Sequence, residues 1–268
     1  MDEARPTSGK RPLLLRVTAG AHAVGAVGLA VAPAQWPLVA GVLLVNHAVV
    51  CGAVMSPRSR LLGPNLSRLP PATKDRVALT FDDGPDPEVT PRVLDLLGAH
   101  GARATFFCIG ERAVRHPGLV AEIAARGHRV ENHTYRHAKT FAFYGPRSQA
   151  AEVDRAQEVL EEAAGRRPCF FRAPAGFRNV WLDRILAERG LRLASWTRRG
   201  FDTIDRRPAS VTRRLLRGMS PGDVLLLHDG SAARDAKGRP VVLETLPRLL
   251  DELAARGWRT ALLPAEPC

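Results

Sequence analysis

Thr80-Phe81-Asp82-Asp83-Gly84-Pro85 ends an apolar run that begins at Val77. A short apolar run that is followed directly by two carboxylates and a Gly-Pro turn is typical of a buried strand with polar groups at its carboxyl end. About fifty residues later, His133-Thr134-Tyr135-Arg136-His137 supplies two imidazoles four positions apart. One carboxylate and both imidazoles can hold a divalent metal, which leaves the other carboxylate free to accept a proton from water. The two stretches together indicate a metal-assisted hydrolase.

Strand-like and helix-like patterns alternate from this stretch to the carboxyl end. Apolar runs predict strands at residues 77–81, 104–109, 129–132, 169–172, 192–196, 224–227 and 259–263. Amphipathic patterns predict helices at residues 91–99, 113–125, 147–164, 180–188, 209–217 and 243–255. This alternation favours parallel βα units, so we predict an α/β fold, a distorted TIM-like (β/α) barrel of about seven strands.

Polar residues recur at the carboxyl ends of the predicted strands. They are Asp82, Asp83, His133, His137, Arg172, Asp202 and His228. In a βα barrel these ends share one face, where catalytic groups gather. Asp-Gly-Pro alone is a common turn, and two histidines alone are more often ordinary surface or core residues. The spacing of the histidines predicts one face of a helical turn, and joined with the carboxylates it favours a shared metal.

Four motifs in order then resemble one known family. They are Thr80–Pro85, His133–His137, Arg172-Ala173-Pro174-Ala175-Gly176 and Leu225-Leu226-Leu227-His228-Asp229. Together they are similar to the motifs of the polysaccharide deacetylases, which are carbohydrate esterase family 4 and carry the chitooligosaccharide-deacetylase-like NodB homology domain. The resemblance covers roughly residues 77–263, which is nearly all of the chain after its apolar first part.

The resemblance implies a role for each matching residue. Asp83, His133 and His137 would bind one divalent metal, usually zinc, with Co²⁺, Mn²⁺ or Ni²⁺ as alternatives. Asp82 would be the general base, and Arg172 would hold it ionised and oriented. The general acid would be His228, with Asp202 behind it. The backbone N–H of Ala175 would bind the oxyanion, and Leu226 would line a pocket for the acyl methyl group.

The implied reaction is removal of an N-acyl group, most commonly N-acetyl, from an amino sugar of a membrane-associated or envelope glycan. An O-acetyl esterase with the same metal site and a non-catalytic glycan-binding protein on the same fold are the alternatives. Ala175 replaces a tyrosine that the family often has, and Thr203 replaces a tryptophan that commonly follows the aspartate. Both departures reduce the aromatic surface on which a soluble polymer would stack. Together with the apolar first part of the chain and its basic flanks, they favour a lipid-linked or envelope glycan over free soluble chitin as the substrate.

The first part of the chain is predicted to lie in a membrane. No Asp, Glu, Lys or Arg occurs between Val17 and Met55, and residues 13–31 and 38–55 are each about long enough to cross a bilayer. Two prolines and Trp36 in the break between these runs are typical of a tight hairpin. We therefore predict a membrane segment at residues 1–56, a linker at 57–73 and a catalytic domain at 74–268.

Basic residues flank both ends of this predicted hairpin: Arg5, Lys10, Arg11 and Arg16 on one side, Arg58, Arg60 and Arg68 on the other. The positive-inside rule then places both ends, and with them the catalytic domain, on the cytoplasmic face of the cell membrane. In the alternative, residues 1–34 are a cleaved signal peptide that ends at Ala32-Pro33-Ala34.

The net charge of +12 does not predict nucleic-acid binding. The arginines are scattered over amphipathic helices, few aromatics are available for base stacking, and no nucleic-acid motif is present. Anionic lipid headgroups are better partners for this charge. None of the four cysteines forms a CxxC pair, so the sequence predicts no disulfide framework.

Overall fold

The computed structural model of the protein describes residues 11–71 and 73–264. Its eight described strands are β1 (Arg76–Asp82), β2 (Thr105–Cys108), β3 (Arg129–Asn132), β4 (Phe170–Phe171), β5 (Arg192–Leu193), β6 (Arg198–Arg199), β7 (Val224–His228) and β8 (Arg259–Ala261). The two apolar N-terminal helices are α1 (Leu13–Val31) and α2 (Trp36–Met55). The remaining helices are α3 (Thr90–Ala99), α4 (Gly110–Arg115), α5 (Pro117–Ala125), α6 (Pro146–Ala164), α7 (Leu182–Ala187), α8 (Pro208–Leu216) and α9 (Val242–Ala255).

All strand pairs in the sheet are parallel. Seven strands follow one another in the order β5-β4-β3-β2-β1-β7-β6, and β8 pairs with the first residues of β1. The sheet curls, with helices on its outside, as parallel βα units require. The predicted distorted barrel of about seven strands, preceded by two apolar helices, is confirmed.

Alternation along the strands separates a barrel interior from an outer layer. Ala78 of β1 lies in an interior cluster with Phe107 and Leu226, whereas its neighbour Leu79 belongs to the cluster that packs under the helices. Side chains two apart share a face of a strand, so Asp82 faces the interior at the carboxyl end of β1. The alternation of side chains along β1 therefore places a buried carboxylate at the end of an otherwise aliphatic strand.

The curled sheet is open between its end strands, β5 and β6, and the segment before β1 spans this seam. The N–H of Leu66 donates to Leu193 O (2.9 Å), and Ser195 N–H donates to Leu66 O (2.8 Å). Farther along, Arg68 makes a bridge with Asp223, just before β7. Residues of the predicted linker therefore hydrogen-bond to both sides of the opening.

Two secondary-structure predictions are wrong in detail. The helix predicted at 113–125 is two helices, α4 and α5, because Pro117 has no N–H to donate and restricts the backbone of His116 before it. The two-residue strand β6 was not predicted, since its Arg198-Arg199 pair shows no apolar signal. The sequence predicted no disulfide framework and did not indicate the one disulfide-bonded cysteine that the described residues contain, Cys169. Cys51 and Cys108 are free thiols.

The helices α1 and α2 form a hairpin around a short 3-10 turn, Pro33–Gln35. Thr18 Oγ1 donates to Asn46 Oδ1 (3.2 Å), and the rings of His22 and His47 meet edge-on with centroids 5.1 Å apart. Only 6% of either apolar window is buried in the protein, as expected for surfaces that lipid would cover. Arg5 and Lys10, two of the predicted basic flanking residues, lie outside the described residues.

We predict that closure of the seam depends on Asp223. This buried carboxylate pairs with Arg68 (3.0 Å) and with Arg198 (2.5 Å), so an Asp223→Ala change leaves two guanidinium groups without their counter-charge. The expected cost is about 2 kcal/mol of unfolding free energy, a decrease in Tm of roughly 4 to 8 °C. Thermal unfolding of the full chain in detergent measures it. Asp251→Ala, which removes a 73% exposed carboxylate, should leave Tm within about 1 °C; equal Tm values for the two variants would contradict the prediction.

Candidate active site

Three of the predicted residues form a compact ligand set at the carboxyl ends of β1 and β3. Asp83 Oδ1 lies 3.3 Å from His133 Nε2 and 3.2 Å from His137 Nε2. One ligand atom from each residue falls within 4.8 Å of the other two. Asp83 and His133 are buried, and His137 is partly exposed, so the set faces an opening.

The loop that carries the two histidines is not the helical turn that we predicted. Thr134 and His137 have φ values of +66° and +53°, which belong to the left-handed region. Asn132 Oδ1 accepts from the Thr134 N–H (2.9 Å), and Thr134 Oγ1 accepts from the His137 N–H (3.0 Å). Side-chain acceptors thus replace the helical hydrogen bonds and fold the loop back, so that the two imidazole rings lie 4.7 Å apart.

The orientation of His133 is fixed from behind. Its Nδ1 donates to the backbone carbonyl of Arg172 at 2.8 Å, which leaves Nε2 to face Asp83. A backbone acceptor on the second ring nitrogen is the usual support of a metal-binding histidine.

Asp82 is held by a fully buried guanidinium. Arg172, with no exposed surface, donates from Nη1 to Asp82 Oδ1 at 2.6 Å. The other donors of Arg172 reach Thr80 Oγ1 (2.9 Å) and Ser195 O (3.0 Å), and its guanidinium lies 4.0 Å from the centre of the Phe107 ring. Hydrogen bonds and an opposite charge of this kind offset the cost of removing both groups from water.

His228 ends β7 beside a second buried carboxylate. Its Nδ1 donates to Asp202 Oδ1 (2.9 Å), and its backbone N–H donates to Asp202 Oδ2 (2.7 Å). Burial by itself would lower the pKa of His228, but the charges of Asp202, Asp82 and Asp83 raise it to about 9. The imidazole is therefore a proton donor at neutral pH.

The ligand set has the protonation pattern that a metal needs in two of its three members. Burial opposes ionisation of Asp83, but the adjoining imidazole of His133 and the charge of His137 hold the pKa of Asp83 well below its usual value. Burial, assisted by the charge of His133, lowers the pKa of His137 to about 4. An ionised carboxylate and a neutral imidazole are ready to coordinate.

A divalent metal fits this donor set. Among the described residues, Asp83 Oδ1 is a buried carboxylate oxygen that receives no hydrogen bond, although two imidazole nitrogens lie close to it. Such an orphaned acceptor is costly unless a cation is present. Two histidines and one carboxylate with an open fourth position are also a known catalytic arrangement for zinc.

The two remaining predicted residues lie at the same end of the barrel or just beneath it. Ala175 is exposed in the 3-10 turn Pro174–Gly176, which follows β4, and has a φ of +55°. Leu226 is buried in β7 and belongs to the interior cluster that also contains Phe107 and Trp196. The structure thus brings all nine predicted residues to the carboxyl ends of the barrel strands or just beneath them.

Sequence reasoning gave no role to three groups that shape the site. Thr80 Oγ1 donates to Leu225 O (2.8 Å) while it accepts from Arg172, so it links β1, β4 and β7. The fully buried Asp229 accepts from Thr90 Oγ1 at 2.6 Å. Burial and the charges of Asp83 and Asp82 raise the pKa of Asp229 to about 7.

Two glycines bring the loops after β1 and β7 into contact. A Cβ on Gly84 would lie 2.3 Å from Asp229 Oδ2, and a Cβ on Gly230 would lie 2.0 Å from Asp83 O. Only glycine permits this approach, which presses the loop that carries Asp83 against the loop that follows His228. The signal was present in the sequence as Asp-Gly in both motifs, but turn chemistry alone explains that pair equally well.

Comparison with known proteins agrees with this geometry. A model of the polysaccharide deacetylase family matches residues 70–194. The chain is 34% identical over 198 residues to a peptidoglycan-N-acetylglucosamine deacetylase of Bacillus cereus, a match that covers 73% of this chain and 69% of that protein. The chain belongs to the polysaccharide deacetylase family. That family consists of carbohydrate deacetylases, so the resemblance inferred from the four motifs is confirmed.

Two further relatives show the same family. A chitooligosaccharide deacetylase of Azorhizobium caulinodans is 34% identical over 195 residues, which cover 70% of this chain and 92% of that protein. The crystal structure of the Bc1960 peptidoglycan N-acetylglucosamine deacetylase superposes with a TM-score of 0.67 and 31% identity, over 75% of this chain and 91% of that chain.

We predict that Gly230→Ala weakens metal binding, although Gly230 is not a ligand. The added Cβ would push on the Asp83 carbonyl and move its carboxylate out of line with the two imidazoles. The expected loss is about 10- to 100-fold in Zn²⁺ affinity, measured by competition with a fluorescent chelator. Gly118→Ala is the matched control, because no atom lies within 4 Å of its Cβ position. Unchanged affinity in Gly230→Ala would show that the two loops can separate without moving Asp83.

Proposed function

We propose that the protein is a metal-dependent hydrolase that removes an N-acyl group, most commonly acetyl, from an amino sugar of a membrane-associated or envelope glycan. The observation that carries this proposal is that a candidate base and a candidate acid lie on either side of one possible metal site. A buried base candidate, Asp82, and a buried acid candidate, His228, flank the ligand set of Asp83, His133 and His137. Two relatives of the chain are named as a peptidoglycan-N-acetylglucosamine deacetylase and a chitooligosaccharide deacetylase, which supports this class of reaction.

Asp83, His133 and His137 would hold the metal, and the proposal favours Zn²⁺. When bound, such an ion acidifies water and polarises the acyl carbonyl. Asp82 accepts the proton of the attacking water, since its Oδ1 is occupied by Arg172 while its Oδ2 lies 3.8 Å from His133 Nε2, on the side of the ligands. Arg172 prevents this carboxylate from turning away and keeps it ionised.

His228 would complete the reaction by protonating the leaving amine, which is a poor leaving group without a proton. Asp202 orients the ring and stabilises its charged form. The exposed backbone at Ala175 would donate its N–H to the carbonyl oxygen as negative charge develops there. Leu226 would form the apolar floor on which the acyl methyl group rests.

The same proposal places the protein in a membrane, with α1 and α2 as a two-span hairpin. Both chain ends then lie on one side, and the basic residues near the ends of the hairpin, Arg11, Arg16, Arg58 and Arg60, favour the cytoplasmic face. The disulfide at Cys169 argues against the cytoplasmic face, because the cytosol keeps thiols reduced. Added protease should cleave the catalytic region in inside-out vesicles and spare it in intact cells; the reverse pattern would place the site on the outer face.

Acetate release tests the activity directly. The full chain with bound Zn²⁺ should release acetate from N-acetylglucosamine glycans, lose this activity after chelation and regain it when Zn²⁺ is restored. Acetyl esters in the same assay provide the comparison with an esterase. Metal binding without release from any N-acetylated glycan would contradict the proposed function.

The assignment of the base and the ligand predicts different outcomes for two variants. Asp82→Asn removes the proton acceptor but no ligand, so kcat should fall by about 10²- to 10⁴-fold while the bound metal remains. His133→Ala removes a ligand and should lose both metal and activity. Metal content by mass spectrometry, measured beside kcat, separates the two. Near-normal kcat in Asp82→Asn would overturn its role as the base.

The role of the acid predicts a change in pH dependence. A general acid must be protonated, so kcat/KM falls as the pH rises through its pKa. Asp202 raises the pKa of His228 to about 9, and Asp202→Asn removes this charge. The alkaline limb of the kcat/KM profile should therefore move to lower pH, while Asp251→Asn at an exposed position should leave it in place. An alkaline limb that does not move would exclude His228 as its source.

A further inference from the structure

The last turn of α2 is attached directly to the loop that follows β4. The N–H of Arg178 donates to Val54 O (3.4 Å), and the guanidinium of Arg178 donates to Ser59 O. Pro57 packs so closely on this loop that a Cβ on Gly176 would lie 2.7 Å from Pro57 Cβ. The helix that leads into the membrane therefore ends on the rim of the active site, next to Ala175.

Four apolar side chains are exposed on this side of the rim: Met55 (65%), Phe143 (89%), Phe177 (36%) and Trp181 (49%), which we call the rim patch. They are held together by polar contacts. Asn179 Nδ2 donates to Ala142 O (3.1 Å) and to Tyr144 O (3.0 Å), on either side of Phe143. The N–H of Trp181 donates to Asn179 Oδ1 (3.1 Å). The loops after β3 and β4 thus form one fixed surface.

This surface has the composition of a membrane interface. Large aromatic side chains that would be unfavourable in water are stable at the level of the lipid headgroups. Two exposed arginines, Arg58 and Arg60, follow α2 directly, where they can meet anionic headgroups. The rim patch is also continuous, through Met55, with the lipid-facing surface of α2.

We propose that the rim patch docks on the bilayer surface, so that the active-site mouth opens at the membrane interface and receives an amino sugar carried on a membrane lipid. This inference rests on the proposed deacylase function for its substrate, but the docking itself does not. A lipid-linked sugar would reach His137 and Ala175 by diffusing in the plane of the membrane. A glycan free in solution would have to enter between the rim patch and the headgroups.

Docking can be measured without any enzymatic activity. The full chain is reconstituted into vesicles of phosphatidylcholine and phosphatidylglycerol, with and without bromine on the acyl chains, which quenches tryptophan in contact with lipid. Trp181→Phe should lower the quenched fraction of the fluorescence because it removes a quenchable indole. Trp258→Phe is the matched control: Trp258 precedes β8, at the opposite end of the barrel, so its removal should raise that fraction. A rise in both variants would overturn the docking.

The substrate class needs a second measurement. Phe143→Ser should lower kcat/KM about tenfold for N-acetylglucosamine diphosphate on a long polyprenol in vesicles. The same sugar diphosphate on a short, water-soluble chain should change less than twofold. Equal effects on both substrates, or none on either, would overturn the entry of substrate from the membrane. If the wild-type protein acts on no N-acetylated sugar, the proposed function fails while the quenching result still decides the docking.

Discussion

The buried ion pair between Arg172 and Asp82 is the interaction on which the rest of the site depends. Burial lowers the pKa of Arg172, and the charge of Asp82 opposes this shift. Neither charge would be stable there alone, because a desolvated ion without its partner costs several kcal/mol. The guanidinium also ties β4 to β1 through Thr80 and to the chain after β5 through Ser195. A catalytic pair is thus at the same time the polar centre of the barrel, and the negative charge that it stabilises helps to keep His228 protonated.

The sequence was sufficient to predict the parallel barrel and the residues gathered at its upper end, because both follow from local signals. Period-2 apolar strands give the alternation that turns Asp82 inward, and helix patterns between them impose parallel pairing. It was not sufficient where the cause is nonlocal. The fold of the loop from His133 to His137 depends on side-chain acceptors, and the role of Leu66 in the seam depends on strands more than a hundred residues away. The break at Pro117 was readable from the residue itself and was missed.

The hairpin and the barrel are parts of one structure. The chain leaves α2, contacts the rim at Gly176, crosses the seam at Leu66 and Arg68, and only then enters β1. The segment that we predicted as a linker therefore has fixed hydrogen bonds at both ends. With α1 and α2 in a membrane, as proposed, an anchor attached in this way would set the height and tilt of the site above the lipid, which a flexible tether could not do.

The close contact at Gly84 and Gly230 divides the mouth into two unlike halves. On the side of β1 and β7, Gly84 lies against the Asp229 carboxylate and Gly230 lies against the Asp83 carbonyl. These contacts leave no room for a larger side chain or for either loop to move. On the side of β3 and β4, the loops present Phe143, Phe177 and Trp181 to the outside. The rigid half contributes Asp82, Asp83 and His228, whereas the two candidate histidine ligands come from the loop after β3. The exposed aromatic positions of the second half lie outside this contact, so a substitution there changes the outer surface of the mouth without moving the loops at Gly84 and Gly230.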